Sequence, residues 1–216
     1  MSRLEFFFDC SSPWTYLAFH RIQSVLSDTG AAVTWRPILV GGVFNAVNQG
    51  LYEQRARMAE AFGRDDASGA RRKAEYYVKD LADWARVAGL RIGQPPVFPV
   101  NSVKAMRACF VAEEHGLLVP WARAVFESYW GDLADISQDD VLLGVAERVG
   151  LDPHEVASKI ATPPYKDKLR ANTGDLIARG GFGSPTMFVD GDDMYFGNDR
   201  LELVRAALAQ GGGRTR

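Results

Sequence analysis

Ser12, Pro13 and Trp14 stand where an apolar strand pattern over residues 3–9 gives way to a helical pattern that opens near Trp14. A serine in that place has two uses. Its side-chain oxygen can accept an amide proton from the first turn and cap the helix, with Pro13 suited to the first helical position. Alternatively, its hydroxyl can donate to an anion drawn by the unpaired N–H groups and the positive end of the helix dipole. A thiolate brought by another molecule is such an anion. A charge-assisted hydrogen bond contributes about 1.5 to 3 kcal/mol and the dipole about 0.3 to 1. Together these would take a thiol from a few per cent ionised to mostly ionised at pH 7. On these residues alone both uses stay open.

Other chemistries lack their partners. A serine nucleophile needs a base, and the three histidines do not offer one: His20 falls two turns along the same helix, and His115 and His154 carry no flanking motif. So few His and Cys residues give no expectation of a metal site. In thioredoxin-type redox proteins the same strand-to-helix junction carries Cys-Pro-X-Cys, whereas here Ser12 and Thr15 take both thiol positions. Disulfide exchange then has no attacking or resolving sulfur. Cys10, on an alternating strand with Phe6 and Phe8, reads as a buried, inert thiol.

A second anchor is Ser184-Pro185. In a thioredoxin-like layout the strand start facing the helix terminus carries a cis-proline, and that geometry exposes the backbone of the preceding residue for strand-like pairing with a peptide. Glutathione is such a peptide. Gly197-Asn198-Asp199-Arg200 then opens a last helix, where free N–H groups and the side chains of Asn198 and Asp199 could hold its charged γ-glutamyl end, or simply cap.

The elements that must position these residues follow from periodicity. A βαβ opening is expected over residues 3–37. A hairpin turning at Asp190-Gly191-Asp192 and a helix to about residue 210 form the other end. Between them helical patterns run over 51–62, 69–88, 102–115, 119–130, 138–149, 153–160 and 164–179. The expected fold is therefore α/β: a thioredoxin-like βαβ-ββα domain made of residues 1–40 and 180–216, with an inserted all-helical domain over 41–179.

Composition bounds the partners. A net charge of -2 gives no electrostatic footprint for nucleic acid or an anionic membrane. No apolar run reaches the roughly 18 to 20 residues that span a bilayer. With two cysteines and no secretory pattern, a cytoplasmic location is the expectation.

Taken together, Phe8-Asp9-Cys10-Ser11-Ser12-Pro13-Trp14-Thr15-Tyr16-Leu17-Ala18, Trp35-Arg36-Pro37 with Gly41-Gly42-Val43-Phe44, Phe98-Pro99-Val100-Asn101-Ser102, Gly183-Ser184-Pro185-Thr186 and Phe196-Gly197-Asn198-Asp199-Arg200-Leu201 form an ordered set. By it the chain resembles the 2-hydroxychromene-2-carboxylate isomerase family, relatives of kappa-class glutathione transferases and DsbA-like proteins. The resemblance implies a homodimer that uses glutathione as a cofactor in the cis-trans isomerisation of a conjugated aromatic carbonyl compound. It makes Ser12 the catalytic serine, and Ser12, Ser184, Pro185, Asn198, Asp199 and Arg200 the glutathione contacts. Asn45, Asn48, Lys73 and Trp84 become substrate contacts, Lys73 and Trp84 sharing one helix face with Tyr76 and Asp80. Asn45 stands where many members have lysine, and Asp83 where arginine is frequent, which points to a less acidic ligand. The alternatives are a kappa-like transferase or peroxidase, which would consume glutathione, and a non-catalytic peptide-binding module.

Overall fold

The computed structural model describes residues 2–47, 50 and 69–211. Its centre is a four-stranded sheet in the order β2-β1-β3-β4, formed by β1 (Arg3–Phe8), β2 (Ala32–Pro37), β3 (Thr186–Val189) and β4 (Asp193–Phe196). β1 runs parallel to β2, with Phe6 opposite Trp35, and antiparallel to β3, with Phe6 opposite Met187. The near-continuous apolar run of β1 is what a strand covered on both faces requires. Leu4, Phe6 and Phe8 enter one core with Phe19, Ile22 and Val25 of α1 (Pro13–Thr29) and Leu201, Val204 and Leu208 of the last helix. Phe7 enters a smaller core on the opposite face with Ile38, Val43, Leu176 and Phe188.

α1 is fixed at both ends by its sequence. Ser12 is extended (φ -106°, ψ 122°) and caps it, Pro13 occupies its first turn, and Gly30 (φ 63°) closes it by donating its N–H to the Leu26 carbonyl. At the hairpin, Asp190 and Gly191 both take positive φ, the conformation that short Asp-Gly turns favour.

α2 (Val40–Val47) follows β2, and α3 (Gly69–Ala88) comes next among the described residues. Then come α4 (Val103–Glu114), α5 (Leu118–Phe126), a π turn (Glu127–Gly131), α6 (Asp139–Arg148), α7 (Pro153–Ile160) and α8 (Pro163–Ala178). A 3-10 turn (Asn198–Arg200) leads into α9 (Leu201–Gln210). The helix expected over residues 51–62 lies outside the described residues. The helices of the middle stretch share the larger core with the sheet, and α2 and α8 supply the cover of its second face through Val43 and Leu176.

A strand end and three helix starts build one cleft

Three helices begin beside the C-terminal end of β1: α1 at Pro13, α2 at Val40 and α4 at Val103. Their first residues, with loops at Phe98–Pro99 and Phe182–Ser184, line a cleft of about 560 Å³. Both the Phe98–Pro99 and Ser184–Pro185 peptides are cis.

Ser12 lies at the cleft wall, half-buried, and its hydroxyl has two partners. It accepts the Thr15 N–H at 3.3 Å and donates to the Ser184 carbonyl at 3.3 Å. Both bonds are at the long end of the range, so the hydroxyl can exchange the Ser184 carbonyl for a better acceptor without a large loss. Thr15 is fully buried, and its hydroxyl pairs with that of Ser184 at 2.8 Å. Ser184 also accepts the Asp9 N–H at 3.0 Å, so the proline loop is bonded directly to the end of β1 and the first turn of α1.

Aromatic side chains make the remaining walls. Trp14 meets Tyr77 of α3 edge-on at 5.4 Å, and Phe182 meets Phe196 at 4.5 Å. Phe98 leans on Trp130 at 6.0 Å, and the π turn holds that lip, because Tyr129 donates to the Val97 carbonyl and the Trp130 indole to the Cys10 carbonyl. Among the described residues lining the cleft there is no Lys, Arg or His. The one carboxylate among them is that of Asp9, a residue 1% exposed. Burial raises its pKa, against the backbone hydrogen bonds from Ser11 and Val40.

The DSBA-like thioredoxin domain matches the chain over residues 3–209. The chain belongs to the DSBA-like thioredoxin family. Its relatives within that group carry two kinds of name. The 2-hydroxychromene-2-carboxylate isomerase of Pseudomonas putida is 29% identical over 215 residues, covering 96% of this chain and 94% of the relative. Glutathione S-transferase kappa 1 of Rattus norvegicus is 25% identical over 221 residues, covering 96% and 91%. A solved structure of 2-hydroxychromene-2-carboxylate isomerase superposes with a TM-score of 0.75 at 25% identity, covering 96% of this chain and 95% of that one. The thioredoxin-like fold and the resemblance read from the motifs both stand.

The DSBA-like frame brings together only some of the residues singled out in the sequence. Ser12 and Ser184 meet at the cleft, and Pro185 directly follows. Asn198 does not line it. Its side chain is buried and accepts from Arg21 at 2.8 Å, because a 3-10 turn precedes α9 and turns it toward α1. Asp199 and Arg200 are exposed and pair with each other at 2.6 Å, also away from the cleft lining. Asn45 is exposed on α2 outside the lining, and Asn48 lies outside the described residues. Lys73 is exposed, and Trp84 sits under the Arg21 guanidinium at 4.6 Å, at the other end of α3. Tyr77, four residues beyond Lys73 and seven before Trp84, lies on the same face of α3 and is the position on it that reaches Trp14 and the cleft.

Cys10 is 1% exposed, and its thiol is held well above the usual range, first by burial and then by the Asp9 charge. Cys109 is also buried. The chain's two thiols are therefore both withdrawn from the cleft. His20 has its pKa lowered by burial, and His115 bonds to Glu155, so neither serves Ser12. Among the described residues no helix is long and apolar enough to cross a membrane. Among the cleft residues to which sequence reasoning gave no role are Asp9, Tyr77, Val40 and Phe182, and the signal of the first three was weak: one acidic residue ending an apolar strand, one of two adjacent tyrosines, and an apolar residue before Gly-Gly.

Proposed function

We propose that the chain is a glutathione-dependent enzyme that isomerises a conjugated aromatic carbonyl compound, with Ser12 as its catalytic residue. The observation that carries the reading is the Ser12 hydroxyl at the start of α1, 3.3 Å from the carbonyl preceding cis-Pro185, in an aromatic cleft that has no thiol of its own. Bound there, glutathione supplies a sulfur nucleophile that adds to the substrate and is released unchanged.

The sulfur end of the tripeptide fits what is present. Ser12 swings its proton from the Ser184 carbonyl to the sulfur and favours the thiolate, with the positive end of α1 behind it. The freed Ser184 carbonyl then accepts from the peptide backbone, as in strand-like pairing. Trp14, Tyr77, Phe98 and Phe196 stack against a planar substrate and exclude water from the reacting bond. With no cation among the described lining residues, an uncharged carbonyl compound suits the cleft better than a carboxylate. Within this reading the protein acts as a homodimer in the cytoplasm, and residues 41–179 form a domain inserted into the thioredoxin-like unit.

Calorimetric titration of glutathione between pH 6 and 9 tests the proposal. Saturable binding with proton release near neutral pH, diminished in Ser12→Ala, is the expected result, and no binding by the wild type overturns it. The absence of a cation among the described lining residues gives specific support to a second reading, a kappa-like transferase acting on uncharged electrophiles. Glutathione falls in proportion to product in a transferase reaction and stays constant in an isomerase reaction.

A further inference from the structure

Asp9 is the one buried ionisable side chain at the cleft to which the proposed chemistry gives no part. Its carboxylate oxygens face different helices. Oδ1 accepts the Ser11 N–H at 2.9 Å, just before α1, and Oδ2 accepts the N–H of Val40, the first residue of α2, at 2.8 Å. The hydroxyl of Ser102, just before α4, makes no capping bond to its own helix and instead faces and stabilises the same carboxylate. The backbone of Asp9 extends the pattern, its N–H donating to Ser184 and its carbonyl accepting the Ser12 N–H at 3.2 Å. Each of these partners lines the cleft.

We infer that Asp9 is a positioning residue, a buried carboxylate that ties the starts of α1, α2 and α4 together and so sets the width of the cleft and the place of Ser12. Only a carboxylate suits the position. Its side chain is acceptor on both oxygens, whereas an asparagine of the same shape would turn an NH2 toward a backbone N–H. Among the described residues no cation lies beside the charge, and the positive ends of three helices converge on it instead. The consequence for catalysis rests on the glutathione reading above, while the latch itself does not.

Two measurements on the full chain test this. In the wild type, the amide protons of Ser11 and Val40 should move with the Asp9 side-chain carboxyl carbon along a single NMR titration curve. Cys10, Cys109 and Tyr129 are the titratable groups that feel the Asp9 charge, and burial keeps all three protonated through neutral pH. Among the described residues the first turns of α1, α2 and α4 carry two further ionisable side chains, Tyr16, which burial pushes up to about 12, and Lys104, which pairs with Asp139 at 2.6 Å. Amides that do not follow the carboxyl overturn the latch, and this needs neither a ligand nor a variant.

The second measurement is glutathione affinity in Asp9→Asn. Removing a negative charge would by itself tighten binding of an anionic tripeptide, so charge and positioning predict opposite signs. Positioning predicts affinity lower by about tenfold, with faster hydrogen exchange at Val40 and Val103 and unchanged exchange in α6 and α7. Unchanged or tighter binding overturns the positioning role. If the wild type binds no glutathione, the glutathione reading fails, and the titration and exchange at Val40 still decide the latch.

Discussion

Glu5 and Asp9 lie four residues apart along the same strand and its exit, and the protein meets their charges in opposite ways. Glu5 faces the α8 side of the sheet, where Arg36 of β2 reaches it at 2.7 Å and Arg179, just beyond α8, at 2.9 Å. Arg179 also lies flat over Phe188 at 3.7 Å. Among the described residues Asp9 has no cation beside it; backbone N–H groups and a hydroxyl hold it. Arginine can clamp a scaffold because its planar fork fills the space beside a carboxylate. At the cleft that space must stay open for a ligand, and helix ends supply positive potential without occupying it.

The largest effect expected of this contrast is on Asp9→Ala. It leaves two half-buried N–H groups without acceptors, at about 1 to 3 kcal/mol each, offset in part by no longer burying a charge. A net loss of about 3 kcal/mol in urea unfolding is expected. Glu5→Ala should cost less, about 1 to 2 kcal/mol, because its partners are partly exposed and keep other bonds, Arg36 to Asn172 and Arg179 to Asp175 and the Gly191 carbonyl. A larger cost at Glu5 than at Asp9 would reverse the ranking on which the comparison depends.

Ser12→Ala comes next for stability, at about 1 kcal/mol for a lost cap. Its larger consequence is for the sulfur: bound glutathione should show much less thiolate absorbance near 240 nm at neutral pH than in the wild type. Equal absorbance in both proteins would reduce Ser12 to a cap.

The parts of this arrangement legible in the sequence are those governed by local rules. β1, α1 and β2 follow from an apolar run, a Ser-Pro start and a Gly stop, and the hairpin from Asp-Gly. α2 was illegible because Val40-Gly41-Gly42-Val43 has poor helix formers and no side-chain cap. Its first N–H is satisfied by Asp9 from 31 residues away, and Val43 is buried against Leu176. Along α3 the spacing grouped residues 73, 76, 80 and 84 on one face and passed over Tyr77, which lies on it too; only packing against α1 decides that Trp84 docks on Arg21 and that Tyr77 is the position reaching the cleft. Asn198 could be read as a cap or a ligand, and its burial against Arg21 depends on a tertiary contact 177 residues away in sequence.

The smallest effect divides the two carboxylates most cleanly. Burial raises the pKa of Glu5, but the bonds and charges of Arg179 and Arg36 outweigh it and leave the carboxyl below its ordinary 4.5. Its contribution to stability is therefore complete above pH 4.5 and is lost as the pH falls through the lower folded value. For Asp9 burial prevails and the pKa lies above the ordinary 3.8. Between 3.8 and that raised value the folded chain binds more protons than the unfolded one, so the contribution of Asp9 declines as pH rises through the window. Unfolding curves for the wild type, Glu5→Gln and Asp9→Asn across pH 3 to 7 would separate the two. The wild-type advantage over Glu5→Gln should grow with rising pH below 4.5, and its advantage over Asp9→Asn should shrink with rising pH above 3.8. Advantages that move in the same direction would mean that three helix ends stabilise the Asp9 charge as fully as two arginines stabilise that of Glu5, and the distinction between scaffold and cleft would have to rest on geometry alone.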